Sequence, residues 1–174
     1  LDATASDPNN MAWMMGFPPP ADKVIAYPSS NYFSFPRLRW TFCHLREMQA
    51  TRRVGRGLGP RSVLPEALDP NIDELTFSPL GSDDTMTWRE SFDANYTDGI
   101  LVMHQGQVVY ERYSGCLDAE GRHGAMSVTK SFVGTVAEIL IAEGALDDAK
   151  LVSHYVPELS DSAFGSATVR QVMD

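Results

Sequence analysis

Ten of the eleven prolines in this 174-residue chain fall at or before Pro79, and only Pro157 follows them. A proline fixes φ and removes a backbone donor, so prolines at 8, 18–20, 28, 36, 60, 65, 70 and 79 leave no room for long regular elements. Residues 1–79 are therefore expected to be a proline-rich, extended wrapping segment, and residues 80–174 to carry the folded domain. One short helix is predicted at residues 35–49, where Leu38, Phe42, Leu45 and then Met48 or Gln49 recur at helical spacing behind Pro36. From Arg37 to Arg61 there are seven arginines and one acid. Such an island is ordinarily a solvated loop; its sharper alternative is a dock for an acidic surface or an anionic substrate group.

The second half has a different pattern. Gly99-Ile-Leu-Val-Met-His104 is an apolar run, Gln105-Gly106 a turn pair, and Gln107-Val-Val-Tyr-Glu-Arg-Tyr113 alternates, which predicts a β-hairpin. A first strand that is apolar all round implies burial on both faces, hence a central sheet packed by helices. A helix is predicted from near Ser127, with Phe132, Val133, Val136, Ile139 and Leu140 on helical period and Gly144 at its C′ position. A short helix fits residues 151–155 before Pro157, and Thr168 reads as the N-cap of a last helix.

The formal charge of −9 and pI near 4.8 have the wrong sign for neutralising phosphates, so nucleic acid is not an expected partner. No stretch approaches the ~20 apolar residues that span a bilayer, so no membrane partner is expected either. No leader is visible at the first residues, although the chain starts at Leu1 and a removed one stays open. A cytoplasmic location is the expectation. Cys43 and Cys116 are expected to be buried thiols, with a bridge as the alternative for an exported chain. His44 and His104 are isolated, and neither a metal nor a cofactor is expected.

One motif carries chemistry. Ser127-Val-Thr-Lys130 has the form S-x-x-K at the predicted start of a helix. Residues i and i+3 share a helix face, so the lysine amine can reach the serine oxygen, and a serine needs a base to become a nucleophile. A helix N-terminus also offers N–H groups to an oxyanion. Alone the pattern is weak, since Ser127 as an N-cap with Lys130 as an exposed first-turn cation is then the better account of it. His123, four residues earlier, is more simply a loop histidine satisfied by backbone. Asp147 and Asp148 are adjacent, so they point in different directions and fit a solvated turn.

The surrounding strings are more specific. DGILVMHQGQVVYERY, then RHGAMSVTKSF and HYVPEL, with a looser match at LRWTFCHLREM, resemble the serine β-lactamase and penicillin-binding-protein superfamily over residues 40–174. Within it the sequence is most similar to the 6-aminohexanoate-dimer hydrolases. The resemblance implies an α+β fold, an antiparallel sheet covered by helices plus a helical region, of which this chain holds the N-terminal part. It implies Ser127 as the nucleophile that forms an acyl-enzyme, Lys130 as the acceptor of its proton, and the Ser127 N–H as one oxyanion donor. A second donor, a catalytic tyrosine and a third motif would come from later sequence. Tyr96, Tyr110, Tyr113 and Tyr155 do not stand in convincingly for that tyrosine.

The expected function is thus hydrolysis of a small linear amide of the 6-aminohexanoate oligomer type, or of an ester. A carboxylesterase or D-Ala-directed peptidase of the same fold, and a non-catalytic binding module, are the alternatives. A second polypeptide carrying the C-terminal part of the enzyme is the expected partner, and a homo-oligomer is left open.

Overall fold

The computed structural model describes residues 1–29 and 31–174, which form two compact units, Leu1–Gly124 and Ala125–Asp174. The break between units therefore falls after Gly124, whereas the change in proline content falls at Pro79.

The first unit is built on one long helix. After a four-residue helix α1 (Pro8–Met11), capped by the Asp7 carboxylate accepting from the Asn9 N–H, comes α2 (Arg37–Met48), close to its predicted bounds. A kink at His44 bends α2, where the ring stacks on Trp40 with centroids 3.9 Å apart. Trp40 packs with Trp13 and Ile25 into a small core flanked by Met11, Tyr32 and Met48. The wrapping segment thus has a core of its own, two tryptophans and an isoleucine that no periodic pattern would flag.

Arg39, on the same helix, departs from the solvated-loop reading of the arginine island. It is only 3% exposed. Its Nη1 donates to Ala3 O (2.7 Å) and Ser6 Oγ (2.9 Å), and its Nη2 lies 3.2 Å from the Asp98 carboxylate. Gly115 comes so close that a Cβ there would stand 3.1 Å from Asp98 Oδ1 and 3.6 Å from Arg39 Nη2, at a φ of +62° that favours glycine in any case.

A disulfide between Cys43 and Cys116 ties α2 to the loop after the hairpin, across 73 residues of sequence. The two cysteines are not free thiols, which corrects that expectation. The bridge is the alternative reading, and it forms because α2 and residue 116 are neighbours in space though not in sequence. Disulfides persist in oxidising compartments, so the cysteines lend no support to a cytoplasmic location.

Strands β1 (Thr76–Phe77) and β2 (Met86–Thr87) form a short antiparallel ribbon leading into α3 (Trp88–Ala94). A capping box starts α3: Glu90 N–H donates to Thr87 Oγ1, and Thr87 N–H to the Glu90 carboxylate. The predicted hairpin is present as β3 (Gly99–His104) and β4 (Gln107–Tyr113), with positive φ at Gln105 and Gly106 in the turn and an irregularity in register between Val102 and Met103. Residues 65–69 run beside β4, with Ala67 N–H on Val108 O (2.8 Å) and Val108 N–H on Pro65 O (2.8 Å).

Burial on both faces of the first strand is not what the structure shows. Leu101 and Met103 of β3 are 44% and 45% exposed, while Val108 of β4 is 2% exposed. The covering lies against β4, where Tyr110 meets Trp88 of α3 and donates to Asp73 Oδ1 at 2.6 Å. Burial first, and then the bond to that carboxylate, raises the Tyr110 pKa above the ordinary phenol value.

The second unit contains α4 (Val128–Ala142), α5 (Val152–Tyr155) and α6 (Val169–Met173). Helix α4 ends as predicted, with Gly144 left-handed at φ +73°. Ala145 N–H donates to Leu140 O and Gly144 N–H to Ile141 O, the paired bonds of a Schellman motif. Thr168 caps α6 in a reciprocal box with Gln171, again as predicted. Among the described residues no helix is long and apolar enough to cross a membrane.

The Arg39 cluster makes a stability prediction. Removing one partner of a buried, hydrogen-bonded ion pair leaves the other charge without compensation, at a cost of about 3–5 kcal/mol. Asp98→Ala should lower unfolding stability by that amount in urea titrations, and Arg39→Met combined with Asp98→Leu should recover most of it. An Asp98→Ala loss below about 1 kcal/mol would contradict the role given to the pair.

Candidate active site

Ser127 is the residue immediately before α4. It does not cap that helix: its φ and ψ of −69° and −11° are already helical, and its side chain takes no N-cap hydrogen bond. The hydroxyl instead accepts from Lys130 Nζ, 3.1 Å away. The S-x-x-K spacing thus places amine and hydroxyl in contact, on the single turn that the spacing predicts.

The backbone around them is tight. Val128 N–H donates to Ala125 O, Thr129 N–H to Met126 O and Lys130 N–H to Ser127 O, at 2.9–3.1 Å, so the helix opens with a run of i to i+3 bonds. Met126, just before Ser127, has φ +45°, a conformation that a side chain with a Cβ rarely adopts. Strain of this kind gathers at functional sites, where surrounding structure holds it. The Ser127 N–H finds no acceptor among the described residues of its unit.

The apolar face of α4 is uncovered. Phe132 is 69% exposed, and Val133, Val136 and Ile139 are each more than half exposed. Ser127 and Lys130 are likewise exposed within their unit.

The rest of the unit braces α4 from its other end. Arg170 of α6 grips the Glu138 carboxylate of α4 with Nη1 at 2.6 Å and Nη2 at 3.2 Å, and donates from Nε to Asp148 at 2.8 Å. This separates the adjacent carboxylates as expected: Asp148 pairs with Arg170, while Asp147 accepts from the Ala149 N–H in a turn. Tyr155 of the HYVPEL string receives the Asp147 N–H at 2.9 Å, a packing contact. The other three tyrosines are engaged in the first unit, Tyr96 with Leu1 O, Tyr110 with Asp73 and Tyr113 with Glu111.

His123 is also placed in the first unit. Its Nε2 lies 3.1 Å from Asp98 Oδ2 and its Nδ1 3.2 Å from Gly124 O, so it has a carboxylate partner as well as the expected backbone one. His44 is stacked on Trp40, with Nδ1 2.7 Å from Trp40 O. Among the described residues no group of three or more His, Cys, Asp or Glu could hold a metal ion.

The stretch that carries this serine–lysine contact lies within residues 96–174, which match the family model described as Beta-lactamase. Over those residues the chain is assigned to the serine β-lactamase-like superfamily. Within it, the chain is 33% identical over 143 residues to the 6-aminohexanoate-dimer hydrolase of Paenarthrobacter ureafaciens, an alignment covering 80% of this chain and 33% of that protein. A solved Bacillus anthracis structure, provisionally named a 6-aminohexanoate-dimer hydrolase, superposes with a TM-score of 0.70 at 30% identity, over 86% of this chain and 39% of that one. The chain therefore spans about a third of the length of the curated relative it matches.

Arg170 holds the Glu138 carboxyl below its ordinary pKa of 4.5, chiefly through their hydrogen bonds. A carboxyl lowered in the folded state stabilises above the unfolded value and loses that contribution as pH falls through the folded one. Arg170→Gln should therefore reduce hydrogen-exchange protection of α6 amides at neutral pH, and make little difference once Glu138 is protonated in acid. Equal loss of protection at both pH values would contradict the pairing.

Proposed function

We propose that this chain carries the nucleophile of a serine hydrolase that cleaves linear amides through an acyl-enzyme, with substrates of the 6-aminohexanoate oligomer type. The observation that supports this most is the 3.1 Å contact between Lys130 Nζ and Ser127 Oγ behind the strained Met126. The substrate class follows from the names of the two relatives.

In the proposed reaction the neutral Lys130 amine accepts the Ser127 proton as Oγ attacks the amide carbonyl carbon. The carbonyl oxygen becomes an oxyanion facing the Ser127 N–H, and the collapsing intermediate expels the amine, which leaves with a proton returned by the lysine. Water then hydrolyses the Ser127 ester by the reverse sequence of proton transfers, releasing the carboxylic acid.

A lysine works as a base only where its charged form is disfavoured, and an ammonium open to water is not. The proposal therefore includes a cover: a further polypeptide segment, in the same chain or a separate one, that seals the Ser127–Lys130 pair and the apolar face of α4. That face, with Phe132, Val133, Val136 and Ile139 all solvent-exposed, is the observation that favours it. The same segment would supply the second oxyanion donor and a tyrosine.

Steady-state assays of the full-length protein on an aminohexanoate dimer, a simple ester and a D-Ala-D-Ala peptide test the reading. The dimer should give the highest kcat/KM. Ser127→Ala should lower kcat on it by at least about a thousandfold, and Lys130→Ala by about a hundred- to ten-thousandfold with the fold retained. Activity within about tenfold of the parent in either variant would sink the corresponding role.

A further inference from the structure

The arginine island holds a second feature that the hydrolase reading does not use. Beyond the end of α2, residues 51–56 have no regular structure and, with Arg46 and Arg122, line an open surface cavity of about 450 Å³. Five guanidinium-bearing residues line it: Arg46, Arg52, Arg53, Arg56 and Arg122. No carboxylate is among its walls, and among the described residues none of the five has an acidic side chain within 4.0 Å. Arg56 alone is anchored, by Nη1 on Gly59 O at 2.8 Å.

Of the six arginines outside the cavity, four are compensated by acids, and Arg37 lies over the Trp13 ring. Arg39, Arg89, Arg112 and Arg170 all face carboxylates. Five uncompensated cations around one cavity repel one another, and that cost is removed by a counter-anion placed between them. The walls are also held in register. The Cys43–Cys116 disulfide and the bond from Gly124 N–H to Phe42 O at 2.8 Å tie α2 to the loop bearing Arg122, so the two sides of the cavity meet without a ligand.

We propose that this cavity is a binding site for a compact, multiply charged oxyanion, recognised by the arginine forks. A guanidinium offers parallel N–H donors that match phosphate and carboxylate oxygens, so both a polyphosphate and a polycarboxylate have the required chemistry. Size and charge select the compact ligand over a long polyanion. The chain as a whole carries −9, so everything outside the island is strongly acidic, and a nucleic acid extending past the five arginines would run into charge of its own sign. With a screening length of about 8 Å at physiological salt, a ligand confined to the cavity feels the arginines and little of the rest.

Isothermal titration of the full-length protein with inorganic tripolyphosphate, and separately with citrate, tests this at low and at physiological salt. At least one of the two should bind saturably at one site, more weakly at higher salt, and whichever binds identifies the oxyanion class. Arg52→Gln with Arg53→Gln should weaken binding by about tenfold or more, and Arg122→Gln, on a different segment, should act in the same direction. Arg61→Gln, in the same island but outside the cavity, should leave affinity within about twofold. Ser127→Ala should bind as the parent does, because the arginines and not the serine hydroxyl recognise the anion. Failure of both anions to saturate below roughly 10 mM would overturn the proposal. So would an Arg61→Gln loss equal to that of the double variant, which marks a diffuse basic surface, or oligonucleotide binding that neither small anion displaces.

Discussion

A guanidinium taken out of water must be met by acceptors in several directions, and Arg39 organises the first unit by that requirement. It faces two carbonyl or hydroxyl oxygens near the N-terminus and the Asp98 carboxylate at the threshold of β3. Two stretches far apart in sequence are thereby fixed on one helix. His123 shares the Asp98 carboxylate, Gly115 is small because the pair stands beside it, and the Cys43–Cys116 bridge closes one turn further along α2. The chain leaves this unit at Gly124 with its N–H already held by Phe42.

What could be read in advance follows the range of the interaction. The hairpin, the helix after Ser127, its glycine terminus and the Thr168 cap are all settled by neighbours within a few residues, and each is found where periodicity and turn chemistry put it. Helix α3 had a legible signal too: Thr87-Trp-Arg-Glu90 is a capping box, and its recognition required only looking for the motif ahead of an aromatic. The Trp13, Ile25 and Trp40 core, the Arg39–Asp98 pair and the disulfide join residues tens of positions apart. No spacing rule reaches that far, so a buried arginine was indistinguishable from its solvated neighbours, and two cysteines read as thiols.

The candidate site divides in the same way. Contact between Ser127 and Lys130 is a property of one helical turn, and four letters suffice to place it. Met126, the residue that carries the local strain, is invisible in the sequence because nothing about methionine announces a positive φ. Environment, which decides whether an amine can accept a proton, is a property of everything packed around that turn. Here the turn is open and the apolar side of α4 is bare, so the chemistry proposed for it depends on further polypeptide. The aligned region makes up 33% of the length of the hydrolase relative, which accords with that proposal.

The central claim is that the Ser127 oxygen becomes covalently attached to the acyl group of the substrate. Mass spectrometry with peptide mapping, on full-length protein quenched during turnover of a slow ester or after exposure to a serine-reactive phosphonate, tests that directly. The account predicts one adduct per active site, located on Ser127 and missing from Ser127→Ala. An adduct on any other residue, or one that persists when Ser127 is replaced, would contradict it.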